Sequence, residues 1–572
     1  MPRKALCNFV LCALSLLLIS QQPLAQSDGL TAKVDAVFAS YNKPDSPGCA
    51  LGVIKNGKLI YTRGYGLANL EHNLPNGAEI VYDIGSTSKQ FTAASILLLA
   101  QQGKLALDDD VRKLIPELPQ YQKPITIRHL LQHTSGLRDY LTLFSLAGVN
   151  FDDTTTENDA LKIILRQQGL NFAPGDEWLY SNSGFFLLSI IVKRASGKSL
   201  AEFARDQIFA PLGMTHTLIL DNHKRLVPRR ATGYSPAPGG GWQIEMSNFE
   251  QTGDGAVQTS INDLLLWDRN FYEPKVGGAA LLKQLHEVGA LNSGEKHGYA
   301  AGLFVDEYKG LRRVAHGGAW AGFRAELLRF PDQQFSVACL CNLGTTNPSQ
   351  LALRVADVYL ADQFKTDALV KADAPSATNA PVSAAPVTLS ESELQAKVGL
   401  YRNAASGELR RITQRDGKLR VDPFGPNSIE LIPLGKDRFR VASNGNEIAF
   451  ETAAGQSQLK LTRNGRTEIF ASVPTAAPTG EDLAAYAGRY FSPELDTTFD
   501  LQVGPGGLAF SGKDAPKRPL LPTYRDGFIS SGVLFEFQRD AQHKISGFTL
   551  SAGRIRHVRF VREGATSETK RD

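Results

Sequence analysis

The chain has 572 residues, too many for one ordinary domain, and its length predicts roughly three or four. Hydrophobic residues make up 42% and charged residues 21%, as is usual in globular proteins. Lys and Arg total 62 against 58 for Asp and Glu, a net charge of +4. Because no basic cluster stands out, composition argues against nucleic acid as a partner.

The first 27 residues have the pattern of a secretory signal peptide. Arg3 and Lys4 precede an apolar run from Phe9 to Ile19, and small residues follow near Ala25 to Ser27. No later stretch approaches the ~18 apolar residues that a membrane span needs. We therefore expect a periplasmic or secreted protein with no stable membrane span after signal removal. An uncleaved signal acting as a membrane anchor is the alternative.

Three of the five cysteines lie beyond the predicted signal: Cys49, Cys339 and Cys341. An odd number in an exported chain argues against a disulfide framework. The favoured expectation is that they are buried free thiols packed as small hydrophobic groups. A single disulfide from Cys49 to one of the other two remains open.

The most informative segment is Ser86-Thr87-Ser88-Lys89, which precedes an apolar run that predicts a buried helix. Ser86 and Lys89 are three positions apart, so on a helix their side chains share a face. A serine hydroxyl is a poor nucleophile until something takes its proton. A lysine in a dry pocket can do so, because burial disfavours its charged form. Ser86 is the predicted nucleophile, and Lys89 is its base or the group that lowers the pKa of that base.

Two later motifs predict the remainder of an acyl-transfer site. Tyr180-Ser181-Asn182 supplies a phenol and an amide, and His316-Gly317-Gly318-Ala319 supplies a strand that substrate can approach closely. A phenol beside a buried ammonium is stabilised as phenolate, so we expect the pKa of Tyr180 to fall below its usual ~10. Core packing of Tyr180 or His316, and helix capping by Ser86 or Asn182, are the structural alternatives.

Together with their flanking residues, these motifs resemble the serine β-lactamases of class C, the related D-aminopeptidases and esterases, and the penicillin-binding proteins. The flanks are Leu130–Leu137, Phe172–Gly175, and Gly322-Phe323 with Cys341-Asn342. The resemblance covers roughly residues 30 to 365, and three motifs in this order are far more specific than any one of them. It implies that Asn182 and the strand 316–319 bind substrate. The N–H groups of Ser86 and Ala319 are the candidate oxyanion hole.

His316 departs from the β-lactamases proper, which carry a lysine at this position facing the substrate carboxylate. A histidine is mostly neutral above pH ~6.5, so we expect a weaker grip on a β-lactam. The D-aminopeptidases resemble this chain in carrying histidine here.

Strand patterns near residues 49–66 and 299–342 flank a helical region from Ser86 to about Leu212. This order predicts an antiparallel sheet flanked by helices, the α/β (α+β) β-lactamase-like transpeptidase fold that the resemblance also implies. We assign residues 28–366 to this catalytic domain and 367–390 to an Ala/Pro-rich linker.

The remaining chain is internally repeated with a constant offset. Positions 394, 399, 401, 417 and 419 recur 89 residues later with the same residue types, as Leu483, Gly488, Tyr490, Gly506 and Leu508. A fixed offset predicts two copies of one module, residues 391–475 and 480–565, each a small β-barrel. Barrels of lipocalin-like shape follow the catalytic domain in the D-aminopeptidases that the chain resembles. Whether the modules only cover surface and hold oligomers together, or gate the site, remains open.

Neither a metal nor a cofactor is predicted. His129 and His133 have the spacing of a zinc-binding helix, but Leu130 stands where the catalytic Glu of H-E-x-x-H would be. The absence of a G-x-S-x-G motif argues against an α/β-hydrolase.

We therefore predict an exported serine hydrolase that acts through an acyl-enzyme on Ser86. Its expected substrates are small amides or short peptides, as for a D-aminopeptidase, or esters, and a homo-oligomeric state is left open. The alternatives are a β-lactamase or penicillin-binding-type D,D-peptidase, or a ligand-binding sensor with a vestigial catalytic domain.

Overall fold

A computed structural model describes most of the chain: residues 24–365, 389–422, 424, 428–443, 446–453, 455–463, 466–512 and 516–564. The predicted signal at 1–27 and the predicted linker at 367–390 lie almost entirely outside the described residues. Within these ranges, no helix combines the length and apolar character that crossing a bilayer requires.

A six-stranded antiparallel sheet forms the centre of the first domain. Its strands in spatial order are Phe304–Tyr308, Leu311–Trp320, Phe323–Phe330, Phe335–Cys341, Cys49–Lys55 and Lys58–Tyr65. The first and last strand-forming regions of the domain thus meet in one sheet, as the sequence predicts. Within the region 299–342, where the sequence predicts strands, the first strand begins only at Phe304.

Cys49 and Cys341 face each other across two neighbouring strands, and a disulfide joins them. Cys339 is a buried free thiol whose Sγ atom lies 3.7 Å from that of Cys341. The favoured expectation of three free thiols is therefore wrong, and the single disulfide left open is present. The register explains this, because residues two apart on a strand share a face and both thiols point towards Cys49.

Helices cover both faces of the sheet. Leu24–Val37 and Pro348–Leu360 pack on one face, where Val34, Phe38 and Val355 are buried. The helical region packs on the other. Its α-helices are Lys89–Gln101, Ile127–Leu131, Tyr140–Ala147, Glu157–Leu165, Asn182–Ser196, Leu200–Ala204, Ala210–Leu212, Ile261–Arg269 and Gly278–Leu285.

The helices Lys89–Gln101 and Asn182–Ser196 lie at the centre of the helical region and pack against each other. The first is mostly apolar and is buried on all sides, since the ten consecutive residues after Lys89 are all buried. A helix of this kind is stable only inside a core. Short strands connect the helical region to the sheet: Leu67–Asn69, Leu74–Pro75, Tyr82–Asp83, Leu218–Ile219, Tyr234–Pro236, Trp242–Ile244 and Val257–Thr259.

The first C-terminal module is a closed eight-stranded barrel preceded by the short helix Glu391–Gln395. Its strands are Gly399–Arg402, Leu409–Arg415, Lys418–Asp422, Ile429–Pro433, Arg438–Val441, Glu447–Ala453, Gln456–Arg463 and Arg466–Val473. Alternate residues such as Ile412, Leu431 and Leu459 fill its interior. Closure leaves no free sheet edge.

The second module follows the helix Gly480–Ala484 and contains nine strands in one sheet. They are Gly488–Ser492, Thr497–Gly504, Gly507–Ser511, Arg518–Pro519, Leu521–Pro522, Gly527–Ser530, Val533–Arg539, Ile545–Ala552 and Ile555–Arg562. The two edge strands, 518–519 and 521–522, are consecutive in the chain, so the sheet curls into a barrel that is interrupted there. Pro519 and Pro522 explain the interruption, because proline cannot donate a ladder hydrogen bond.

Equivalent residues of the two modules make equivalent contacts. The hydroxyl of Tyr401 donates to the main-chain oxygen of Lys397 at 3.0 Å, and that of Tyr490 donates to the oxygen of Tyr486 at 2.8 Å. Both tyrosines are buried, and each bond spans four residues. The predicted fold, a β-lactamase-like domain followed by two β-barrel modules, is confirmed.

Candidate active site

Ser86 lies in a tight turn between a short strand and a buried helix. The turn spans Gly85–Ser88, and the helix begins at Lys89. The N–H of Gly85 donates to the Asp83 carboxylate at 2.8 Å, which fixes the entry to the turn. Lys89 Nζ lies 3.0 Å from Ser86 Oγ. The two side chains therefore meet as the i, i+3 spacing predicts.

Lys89 is fully buried and has three hydrogen-bond partners. Besides Ser86, its Nζ atom contacts Asn182 Oδ1 at 2.9 Å and the main-chain oxygen of Asp254 at 2.6 Å. Burial lowers the pKa of Lys89 to about 7, against an opposing effect of the Asp254 carboxylate. Two of the three partners are pure acceptors. A neutral amine can donate to both and still present its lone pair to the Ser86 hydroxyl.

Asn182 and Asp254, which accept hydrogen bonds from Lys89, are themselves positioned by further hydrogen bonds. The main-chain N–H of Asn182 donates to Asp139 Oδ2 at 2.7 Å, and Tyr140 donates its hydroxyl to Asp254 Oδ2 at 3.1 Å. Burial raises the pKa of the Asp254 carboxyl to about 6. Lys89 and Asp254 thus form a buried pair in which each opposes the effect of burial on the other.

Tyr180 is beside this cluster, and Lys89 Nζ lies 4.9 Å from its ring centroid. Burial raises the pKa of the phenol, which is opposite to the predicted direction. The prediction considered the cation nearby but not the greater cost of burying a phenolate. The Tyr180 hydroxyl has no partner of regular hydrogen-bond geometry among the described residues, although Ser86 is close enough to oppose the rise in pKa. The phenol therefore retains its proton at neutral pH.

His316 is buried on the strand Leu311–Trp320 and is neutral. Its Nδ1 donates to the Gly317 oxygen at 2.6 Å, so Nε2 accepts from the Tyr299 hydroxyl at 3.1 Å. Burial, together with the charge of Lys89, lowers the pKa of His316 to about 3. This position therefore offers no positive charge to a substrate.

The glycines of the third motif let the strand approach the nucleophile turn. A Cβ atom on Gly318 would lie 1.9 Å from the Ile84 oxygen, and one on Gly85 would lie 2.7 Å from the Ala319 nitrogen. Thr87 Oγ1 donates to the His316 main-chain oxygen at 3.0 Å. The main chains that carry the N–H groups of Ser86 and Ala319 are thus neighbours, as an oxyanion hole requires.

These groups line a cleft of about 960 Å³. Ser86, Tyr180, Asn182 and the segment 316–319 all contribute to its wall. One side is aromatic, because the ring of Trp320 lies 5.0 Å from that of Phe151 and 5.5 Å from that of Phe249. The structure therefore brings every predicted site residue except buried Lys89 to one solvent-open cleft, with Lys89 directly behind Ser86.

The second C-terminal module also reaches this cleft. Arg554, at the turn between its last two strands, lines the cleft, and its guanidinium carbon lies 4.6 Å from the Tyr180 ring centroid. The sequence alone did not show whether either module contacts the site. The second one does.

Five residues beside these groups were not predicted as site residues: His133, Asp139, Asp254, Tyr299 and Arg554. His133 packs its ring 4.2 Å from that of Tyr180 and accepts from the Ser181 N–H at 3.2 Å, so it supports the tyrosine. For Asp254 the sequence does contain a signal, because two glycines, Gly253 and Gly255, flank it. In the structure Gly253 has a φ of +102°, which favours glycine. No local pattern distinguishes Arg554.

Among the described residues, the three side chains grouped closely enough to share a metal are Cys49, Cys339 and Cys341, and a disulfide occupies two of them.

Comparisons with known proteins agree with this geometry. Residues 34–361, more than half of the chain, match the Beta-lactamase family. Penicillin-binding protein 4* of Bacillus subtilis (strain 168) is 30% identical over 416 residues, which cover 69% of this chain and 88% of the relative. A D-aminopeptidase of Gluconobacter oxydans (strain 621H) is 29% identical over 497 residues, covering 85% of this chain and 87% of the relative.

The solved structures include an octameric penicillin-binding protein homologue from Pyrococcus abyssi. It aligns with a TM-score of 0.53 at 22% identity and covers 77% of this chain and 99% of its own. This likeness supports the fold. The family predicted from the three motifs is confirmed by the match over 34–361, and the chain therefore belongs to the beta-lactamase family of serine hydrolases.

Proposed function

We propose that this protein is an exported hydrolase that forms an acyl ester on Ser86 and cleaves small amides, short peptides that include a D-residue, or esters. The observation that carries the proposal is the 3.0 Å contact between Lys89 Nζ and Ser86 Oγ. That contact gives the hydroxyl a base whose pKa burial lowers to about 7, near the optimum for proton transfer at neutral pH.

The acylation step follows from the contacts. Neutral Lys89 takes the Ser86 proton as Oγ attacks the carbonyl carbon, and the oxygen of that carbonyl becomes negative. The N–H groups of Ser86 and Ala319 stabilise this charge, and one such donor is worth roughly 3 kcal/mol. Tyr180, which retains its proton, donates it to the leaving group, and the proton on Lys89 can replace it. Water then releases the acid from Ser86, with the same groups moving its proton.

The substrate class is supported by the relatives and by His316. Several relatives that cover most of this chain are named D-aminopeptidase. A neutral His316 gives no cation for a β-lactam carboxylate, so we favour peptidase or esterase activity over antibiotic hydrolysis. A β-lactamase proper would turn over a chromogenic cephalosporin rapidly, whereas our proposal predicts slow or no turnover.

A fluorophosphonate probe tests the nucleophile. We expect the full chain to be labelled and Ser86→Ala to lose the label. Ser247→Ala is the matched control, because Ser247 lines the same cleft and accepts a hydrogen bond from the Phe249 N–H but does not contact Lys89; it should keep the label. Absence of label in the wild type would instead support a ligand-binding protein with a vestigial site.

A panel of D- and L-aminoacyl amides and short-chain esters then defines the substrate. Hydrolysis of D-aminoacyl amides in preference to L would support the D-aminopeptidase-like form, and hydrolysis of esters alone would support an esterase. Export and a homo-oligomeric state belong to the same proposal. Fractionation of expressing cells and light scattering of the purified protein test them.

A further inference from the structure

The turn that carries Arg554 is fixed to the catalytic domain by its main chain. Asn171 Nδ2 donates to the Arg554 oxygen at 3.0 Å, and Asn171 Oδ1 accepts from the Arg556 N–H at 2.7 Å. The Asp139 N–H also points to the Arg554 oxygen, at 3.4 Å. One asparagine side chain thus holds both sides of the turn, directly beside the cleft.

Two ion pairs reinforce this docking. Arg138 pairs with Glu494, and both side chains are only 3% exposed. Arg138 also donates to the main-chain oxygens of Arg556 and His557 at 2.9 and 3.0 Å. Arg556 forms a two-pronged pair with Glu177, with both distances 3.1 Å. The position of the Arg554 backbone is therefore determined by buried, charge-assisted contacts rather than by a loose loop.

The guanidinium of Arg554 itself is free of such partners. Among the described residues it makes no hydrogen bond or ion pair, and its contact is the face of the Tyr180 ring at 4.6 Å. The residue is exposed, on the wall of the cleft. Its neighbour Arg556 shows the contrast, because that guanidinium is fully engaged by Glu177.

The other charged groups in and behind the cleft have oppositely charged neighbours. Asp254 interacts with Lys89, Asp83 with Arg230, and Glu245 with Arg324. Arg324 also donates to the main-chain oxygens of Ala321 and Phe323 at 2.8 and 2.6 Å. His316 is neutral. Arg230 and Arg324 are also partly buried, so among the described residues that line the cleft Arg554 is the exposed cation.

We propose that Arg554 is a specificity-determining residue that binds a carboxylate of the substrate beside the scissile bond. The inference rests on the proposed function and narrows its substrate class. A planar guanidinium binds a carboxylate through two parallel N–H···O bonds. The same cation repels an ammonium group placed there. Of the amides, peptides and esters proposed above, the enzyme prefers those with a carboxylate within reach of Arg554 over those whose charge is an amine.

Matched pairs of substrates test this preference. For a carboxylate on the acyl side, the pair is the mono-4-nitrophenyl ester of adipic acid and its adipamic acid counterpart. For a carboxylate on the leaving group, it is 3-acetoxybenzoate and 3-acetoxybenzamide. Each pair differs in the anionic group alone, so the ratio of kcat/KM within a pair measures its recognition, and the two pairs distinguish its location.

We expect the wild type to prefer the carboxylate in one pair, and Arg554→Gln to reduce that preference about ten- to hundred-fold. Arg554→Lys should retain part of it. Arg525→Gln is the matched control, because Arg525 belongs to the same module and its side chain is 86% exposed; it should keep the wild-type ratio. Arg554 makes only a ring contact, so the variants should melt at the wild-type temperature.

Equilibrium binding gives a readout that does not need turnover. The full chain should bind 3-hydroxybenzoate more tightly than 3-hydroxybenzamide by calorimetry, and Arg554→Gln should remove the difference. If Ser86→Ala abolishes hydrolysis while Arg554→Gln changes neither the kcat/KM ratios nor the binding difference, the inference on Arg554 is wrong and the proposed function stands. If the carboxylate binds through Arg554 but no substrate is cleaved, the proposed function is wrong and the binding site stands.

Discussion

The side-chain amine of Lys89 donates to the main-chain oxygen of Asp254 at 2.6 Å, while the carboxyl group of the same aspartate is buried with it. The backbone of Asp254 thus orients the amine, and its side chain adjusts the charge of the amine. The two effects can be separated by mutation, because a substitution of the side chain leaves the main-chain oxygen in place.

Asp254→Asn should move the pH profile of kcat/KM to lower pH. Burial lowers the pKa of Lys89 to about 7, and the Asp254 carboxylate is the largest influence that raises it again. Lys89 must be neutral to accept the Ser86 proton, so activity falls about tenfold per pH unit below that pKa. Removing the carboxylate lowers the pKa further and extends activity to more acidic pH. Glu245→Gln, which removes another carboxylate of the cleft, is the control and should leave the pH profile unchanged. A shift of the Asp254→Asn profile to higher pH would contradict the prediction.

Tyr180→Phe should slow the hydrolysis of amides far more than that of activated esters. The phenol retains its proton because burial raises its pKa, so its role in acylation is to protonate the leaving group. An amine must be protonated to leave, whereas 4-nitrophenolate leaves without help. We expect a loss of about 10²- to 10⁴-fold in kcat for an aminoacyl amide and a much smaller loss for a 4-nitrophenyl ester. Equal losses on both substrates would show that Tyr180 acts instead as the base.

Gly318→Ala should abolish labelling by the fluorophosphonate probe, and Gly317→Ala should not. A Cβ atom on Gly318 would lie 1.9 Å from the Ile84 oxygen, which is main chain and cannot move without displacing the nucleophile turn. One on Gly317 would first meet Glu326 Oε2 at 2.9 Å, the end of a side chain that can adjust. We expect Gly318→Ala to lower the free energy of unfolding by about 3 kcal/mol or more, and Gly317→Ala to lower it by about 1 kcal/mol. Labelling rates and thermal melting measure both effects, and similar behaviour of the two variants would count against the close approach.

Glu494→Ala should weaken docking of the second module, whereas Asp496→Ala should not. Removing one partner of a buried ion pair leaves an uncompensated charge, here on Arg138, at a cost of about 3–5 kcal/mol. The pair Arg166–Asp496 crosses the same interface, but its side chains are 43% and 60% exposed, so its loss costs at most about 1 kcal/mol. Thermal melting and proteolysis at the interface would compare the two variants. Equal stability would mean that the buried pair contributes nothing to docking.

How far the sequence predicts this molecule depends on whether contacts are local. Ser86 and Lys89 are one helical turn apart, so their meeting follows from spacing alone, and a constant offset of 89 residues is enough to identify the duplicated module. Tyr180, Asn182 and His316 required the resemblance to a family, because no local pattern brings distant segments together.

Other features depend on the whole fold. The direction of the Tyr180 pKa shift was predicted wrongly because burial, which exceeds the effect of the nearby lysine, cannot be read from three neighbouring residues. The disulfide depended on a strand register that joins residues 292 positions apart. Arg554 is an ordinary turn residue until the second module is docked, so its presence at the cleft has no sequence signal.

The anchoring of the last β-hairpin on the catalytic domain has a consequence for how the enzyme is made. Ser86 is synthesised long before Arg554, so one wall of the cleft leaves the ribosome much later than the nucleophile. A chain cut short before that hairpin would retain Ser86 and Lys89 but would present a wider opening without its guanidinium. Versions that end before the hairpin are thus a poor guide to what the enzyme selects when the hairpin is docked.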